Sequence, residues 1–125
     1  MTPQQIVSSF VEITERCLDA LLGEYGGRPP VRTGVLDGRV RFQLHGIGCR
    51  FELDDGTDVD VDWDDNGYAV FDSWRILMYA HSIGDERVER DELRVAAAEH
   101  PRLTQVTPDW FTWSDGRYAL GRRQP

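Results

Sequence analysis

Residues 52–72 read ELDDGTDVDVDWDDNGYAVFD, and the spacing inside this stretch decides the kind of fold. Asp58, Asp60, Asp62 and Asp64 alternate with Val59, Val61 and Trp63, which is the two-residue period of a strand with one face in a core and the other in water. A helix would spread these carboxylates around its axis, whereas a strand sets them in a row. The stretch holds nine of the 22 acidic residues and no basic one, leaving 13 acids against 14 basic residues elsewhere. The formal charge of −8 is therefore −9 here and +1 over the rest of the chain.

Working upstream, residues 49–53 (CRFEL) alternate Cys49, Phe51 and Leu53 with Arg50 and Glu52. Residues 39–45 (RVRFQLH) alternate Val40, Phe42 and Leu44 with Arg39, Arg41, Gln43 and His45. Both patterns predict half-buried antiparallel strands. Gly46 and Gly48 flank Ile47 between them, where a turn needs positive φ or a close approach of backbones. The register of the next hairpin follows from burial. Placing Phe51 opposite Val59 on the core side leaves Asp54-Asp55-Gly56 as a three-residue loop with Gly at the left-handed position. Arg50 then faces Asp60, and Glu52 faces Asp58 at some electrostatic cost. Asn66-Gly67 predicts a type I′ turn into residues 68–71, completing a four-stranded meander.

The flanking segments predict helices. Ile6, Val7, Phe10, Val11, Thr14, Cys17, Leu18, Leu21 and Leu22 recur at three- and four-residue intervals, an amphipathic pattern. Thr2, Pro3 and Gln5 form its start signal, and Gly23 or Gly26-Gly27 its stop. Gly26–Gly34, with Pro29 and Pro30, reads as a connector. Asp72 or Ser73 caps a second helix with Trp74, Leu77, Met78 and His81 on its inward stripe and Gly84 as its end. A third, alanine-rich helix runs from about Asp91 to Glu99, before Pro101. Residues 109–120 (DWFTWSDGRYAL) read as an aromatic hairpin about Ser114-Asp115-Gly116. The expected architecture is a single α+β domain over residues 1–125. It has an antiparallel four-stranded meander, an N-terminal helix and two C-terminal helices packed on one face, and a C-terminal aromatic hairpin.

At 125 residues the chain can bury one core without disulfides or metal. A net negative charge argues against nucleic acid or an anionic membrane as partner and for a basic protein. There is no membrane-length apolar run, and the N-terminal segment lacks a basic n-region, which points to a cytoplasmic protein. Cys17 and Cys49 have no CxxC spacing and read as free thiols, Cys17 as a buried core residue.

Three constellations bear on chemistry. Residues 62–67 (DWDDNG) match the first half of a calcium loop, but Ser73 stands where the bidentate Glu belongs and a strand replaces the preceding helix; no metal and no cofactor are expected. His45 and Cys49 could form a thiol–imidazole pair, yet alternation puts His45 on the polar face and Cys49 with Phe51 and Leu53. The acidic row is either a solvated face or a binding surface. Its concentration, the repetition of like charge and the neighbouring aromatics Trp63 and Tyr68 favour binding. The candidate partner-binding residues are Asp58, Asp60, Asp62, Asp64, Asp65, Trp63 and Tyr68, with no catalytic residue assigned. If Asp58, Asp60, Asp62 and Asp64 point to solvent together, neutralising them to Asn is expected to leave the fold intact or slightly steadier.

The strings His45-Gly46-Ile47-Gly48-Cys49, Val59-Asp60-Val61-Asp62 and Phe71-Asp72-Ser73-Trp74-Arg75 resemble the HGxGC, VDxD and FDxWR signatures of an uncharacterised family of small bacterial domains. The resemblance implies that the second helix packs on the meander, and it is compatible with an immunity factor for a secreted toxin. The leading expectation is a non-enzymatic inhibitor whose carboxylates cover the basic groove of a toxin such as a nuclease. The alternative is a small enzyme or metal-dependent protein using His45, Cys49 and the loop 62–66.

Overall fold

The computed structural model describes residues 1–63, 69–106 and 117–120. Helix α1 (Pro3–Tyr25) opens on the expected capping box: the Thr2 hydroxyl accepts from the Gln5 N–H while the Gln5 side chain accepts from the Thr2 N–H. It closes on Gly26, whose φ of 72° lets its N–H reach the Leu22 carbonyl. The remaining elements, in chain order, are β1 (Thr33–Leu36), β2 (Val40–His45), β3 (Gly48–Leu53), β4 (Asp58–Trp63), β5 (Ala69–Asp72), α2 (Ser73–Ser82), α3 (Arg90–Glu99), β6 (Leu103–Val106) and β7 (Arg117–Leu120).

The strands form one antiparallel sheet of order β1-β2-β3-β4-β5-β7-β6. The predicted register of β3 on β4 is present, with Phe51 opposite Val59, Arg50 opposite Asp60 and Glu52 opposite Asp58. Gly56 takes the left-handed turn position at φ 92°. The four-stranded meander is a correction: the sheet has seven strands. Val35 and Leu36, just past the predicted connector, belong to an edge strand that turns back through Asp37 and Gly38, both at positive φ, the Asp-Gly signature of a tight hairpin. At the other end β7 joins β5, but its outer partner is β6, pairing Leu103 with Leu120, rather than an aromatic strand folded about Ser114–Gly116. That predicted turn, and the one at Asn66-Gly67, lie outside the described residues.

One face of the sheet makes the core. Phe42, Phe51, Val59, Val61, Phe71 and Tyr118 share it with Phe10 of α1, Tyr79 of α2 and Leu93 of α3. Phe10 packs edge-on against Phe71 and Tyr79, at centroid distances of 4.7 and 5.5 Å. Tyr118 Oη donates to the Arg94 carbonyl at 3.0 Å, which satisfies the one polar atom its ring takes into the core. The buried Glu15 of α1 is ion-paired to Arg102 at the start of β6.

Helix α2 differs from expectation in which stripe it buries. Ser73, Ile76, Tyr79 and Ala80 face inward, while Trp74 and Met78 are 53% and 51% exposed and His81 is exposed. The rotation follows from where the helix starts. Asp72 is both the last residue of β5 and the N-cap, its carboxylate accepting from the Arg75 N–H at 3.1 Å. Because β5 ends there, the described β4–β5 pairing covers only Asp62 and Trp63 of β4. Helix α2 lies beside the rest of that strand, and Ser82 Oγ accepts from the Asp58 N–H at 3.2 Å while donating to the Tyr79 carbonyl.

Candidate functional site

The outer face of β2, β3 and β4 carries the charged side chains, because burial of Phe42, Leu44, Phe51, Val59 and Val61 turns every alternate residue the other way. Asp58, Asp60 and Asp62 therefore form the predicted row. Each is partly exposed, and each already has a cation. Arg50 crosses diagonally rather than straight, its Nε donating to Asp58 Oδ1 at 3.0 Å and its Nη2 to Oδ2. This hydrogen bond is the main reason its guanidinium is held above its ordinary pKa. Glu52, which would have repelled Asp58, turns to Arg41 on the opposite neighbour.

The row's other two members enter a denser cluster. His45 Nε2 lies 2.6 Å from Asp60 Oδ1 and donates to it. Arg75 reaches over from the first turn of α2, its Nη1 3.0 Å from Asp62 Oδ1 and 3.7 Å from Asp60 Oδ1. Arg117 of β7 donates to Asp62 Oδ2 at 3.2 Å. Two carboxylates thus share two guanidiniums and one imidazole. The expected Arg50–Asp60 pair is replaced by Arg50–Asp58, and removing a carboxylate from this row strands a cation.

Gly48 makes this proximity feasible. It faces Asp62 across the β3–β4 ladder and His45 across the β2–β3 turn. A Cβ there would sit 2.6 Å from Asp62 Oδ1, 2.9 Å from His45 Cε1, and closer still to the Val61 carbonyl oxygen. Gly46 serves the other purpose foreseen for the pair, adopting φ 45° with nothing within 4 Å of a Cβ. The segments HGIGC, VDVD and FDSWR, far apart in the chain, thus supply His45, Gly48, Asp60, Asp62, Asp72 and Arg75 to one spot.

The remaining candidates fall elsewhere. Trp63 shares the parity of Val61 and packs partly buried against the core, so it faces away from the carboxylates and is not an anchor beside them. Asp64, Asp65 and Tyr68, and with them the loop 62–66, extend outside the described residues. Cys49 is fully buried on the inner face, opposite His45, and burial pushes its thiol up to about 12. A thiolate nucleophile activated by His45 is therefore incompatible with this fold. Among the described residues no group of three or more His, Cys, Asp and Glu side chains could hold a metal ion, and no helix is long and apolar enough to cross a membrane. Sequence reasoning missed Arg75 and Arg117, although Arg75 stands three residues after the cap, where a helix returning along β4 would carry it to the row.

Neither a curated protein nor a solved structure matches the chain. A family profile, described as a domain of unknown function (DUF6896), matches residues 3–106 and so takes in every part of the cluster except Arg117. The chain belongs to that family.

Proposed function

We propose that the protein is a binding module, an immunity-type inhibitor that seats the outer face of β2–β4 over a basic surface of its partner, such as the active-site groove of a toxin. One observation carries this reading: Asp58, Asp60 and Asp62 stand in a partly exposed row on the outer face and are held there by Arg50, His45, Arg75 and Arg117. Carboxylates fixed before binding lose little freedom when a partner docks. The formal charge of −8 steers a cationic partner from a distance. At contact, the partner's arginines exchange places with internal cations instead of meeting bare acid, which favours specificity over raw attraction. A shallow depression of about 420 Å³ beside the row, lined by Arg41, Gln43, Arg50 and Glu52 among others, extends the same face.

The test is co-purification with wild-type and Asp58→Asn/Asp60→Asn bait, folded by circular dichroism, at low and high salt. A basic partner recovered only by wild type, and lost as salt rises, supports the proposal; identical eluates from both baits refute it.

A second reading rests on the His45–Asp60 contact, since a carboxylate that orients an imidazole is one half of general-base chemistry. In a small enzyme His45 would take a proton from water or a hydroxyl, without Cys49. His45→Gln separates the readings: it abolishes turnover in an enzyme, while an inhibitor keeps protecting against its toxin.

A further inference from the structure

Outside the charged cluster, the feature that the fold leaves unexplained is the outward strip of α2. Trp74 and Met78, one turn apart, are about half exposed although each offers a large nonpolar surface. Ser82, a further turn on, shares that side and touches β4 at Asp58. Arg75, adjacent to Trp74, enters the cluster at Asp60 and Asp62. The strip therefore borders the acidic row along its length rather than standing apart from it. The Arg90 guanidinium lies 5.9 Å from the Trp74 ring centroid, so the indole is held rather than free to swing.

At the far end exposed carboxylates lie among a few cations, Arg50 on Asp58 and Arg87 beside Glu86. The β3–β4 turn, with exposed Asp54 and Asp55, leads into Asp58, and Glu86 follows the helix. Among the described residues Asp54, Asp55 and Glu86 are drawn into no ion pair. An aromatic and a methionine on a rigid helix, next to fixed and free carboxylates, match the composition of a binding hot spot with a polar rim. Trp74 and Met78 stand about 6 Å apart along the axis, the spacing of two apolar side chains one turn apart on a facing helix.

We propose that Trp74 and Met78 are the apolar anchor of the binding face, and that they take the nonpolar stripe of a cationic amphipathic helix whose basic side lies against Asp54, Asp55 and Asp58. This rests on the binding-module reading and names the chemistry of the partner segment. The test is calorimetry on the intact protein with two synthetic 15-residue peptides. One is a Leu/Arg amphipathic helix, and in the other Ser replaces every Leu. Wild type should bind the Leu/Arg peptide at least tenfold more tightly. Trp74→Ser and Met78→Ser should each erase most of that ratio with unchanged melting temperature. Asp54→Asn/Asp55→Asn should weaken both peptides alike. If the ratio survives Trp74→Ser, the anchor is refuted while the basic-partner reading stands. If neither peptide binds, both fall. If Trp74→Ser instead converts a sedimenting dimer to monomer, the strip serves self-association and the proposal is overturned.

Discussion

Arg75 Nη1 lies 3.0 Å from Asp62 Oδ1, joining the first turn of α2 to the end of a strand that pairs with β3 along its length but with β5 only at Asp62 and Trp63. The side chains are 24% and 15% exposed, dry enough for the loss of one partner to matter and wet enough to soften it. Arg75→Met should destabilise the fold by about 1–2 kcal/mol, read as a lower urea midpoint at unchanged slope. Adding Asp62→Asn to Arg75→Met should cost less than the two single changes together. Strict additivity in that cycle would show that the pair contributes nothing.

The two glycines of HGIGC should respond differently to the same replacement. Gly46 needs only positive φ, which Asn tolerates, so Gly46→Asn should stay within about 0.5 kcal/mol of wild type. Gly48 needs empty space between Val61, Asp62 and His45. Gly48→Ala should cost about 1–3 kcal/mol, and Gly48→Asn at least as much. Thermal melts of the three variants test this, and an equal loss at both positions would contradict the division of roles.

Burial holds both thiols at about 12, against an ordinary 9.0. Below pH 9 both states of the protein carry neutral thiols, so their contribution to stability is fully present. Between pH 9 and 12 the unfolded chain ionises them while the fold does not, so stability falls as pH rises through that window. Cys17→Ala/Cys49→Ala should be less stable than wild type at pH 8 yet lose less on going to pH 10.5. A thiol-reactive dye at pH 8 should label neither cysteine in native protein and both in urea. Prompt native labelling of Cys49 would reopen its role beside His45.

The strand pattern was legible because its information is local. Alternation at Val59, Val61, Phe51 and Phe42 fixes which face is inside, and one loop glycine fixes the β3–β4 register. The edge strand is signalled only by Asp37-Gly38, a two-residue turn that follows no alternating apolar run. The stripe of α2 was misread because Trp74 and Met78 look like core by residue type. Only the position of the Asp72 cap on β5 rotates Ile76 and Tyr79 inward instead. The cluster was the least legible part. His45, Asp60, Arg75 and Arg117 meet through pairings that span 72 residues, and the register alone offered Arg50 to Asp60 where the fold gives it to Asp58 and brings Arg75 and Arg117 to the others.

That difference gives a graded prediction for the row itself. Asp62 is the least exposed and touches two guanidiniums; Asp60 is more open and shares His45 and Arg75; Asp58 answers to Arg50 alone, a pair about half exposed on the Arg side. Desolvation strengthens both the attraction and the penalty for leaving a partner behind, which puts Asp62 first at 15% exposed; Asp60 and Asp58 are 38% and 29% exposed, and between them the number of cations left behind sets the order. Asp62→Asn should cost about 1–2 kcal/mol, Asp60→Asn less, and Asp58→Asn about 0.5 kcal/mol or under. Salt separates them as well. The Asp58 contribution should fade toward zero in 1 M salt, where the screening length is about 3 Å, whereas the Asp62 contribution should largely persist. Urea titrations at two salt concentrations measure all three. A rise in midpoint on neutralising Asp62 would mean that like-charge repulsion still governs the row, and would remove the basis for treating its carboxylates as held in place for a partner.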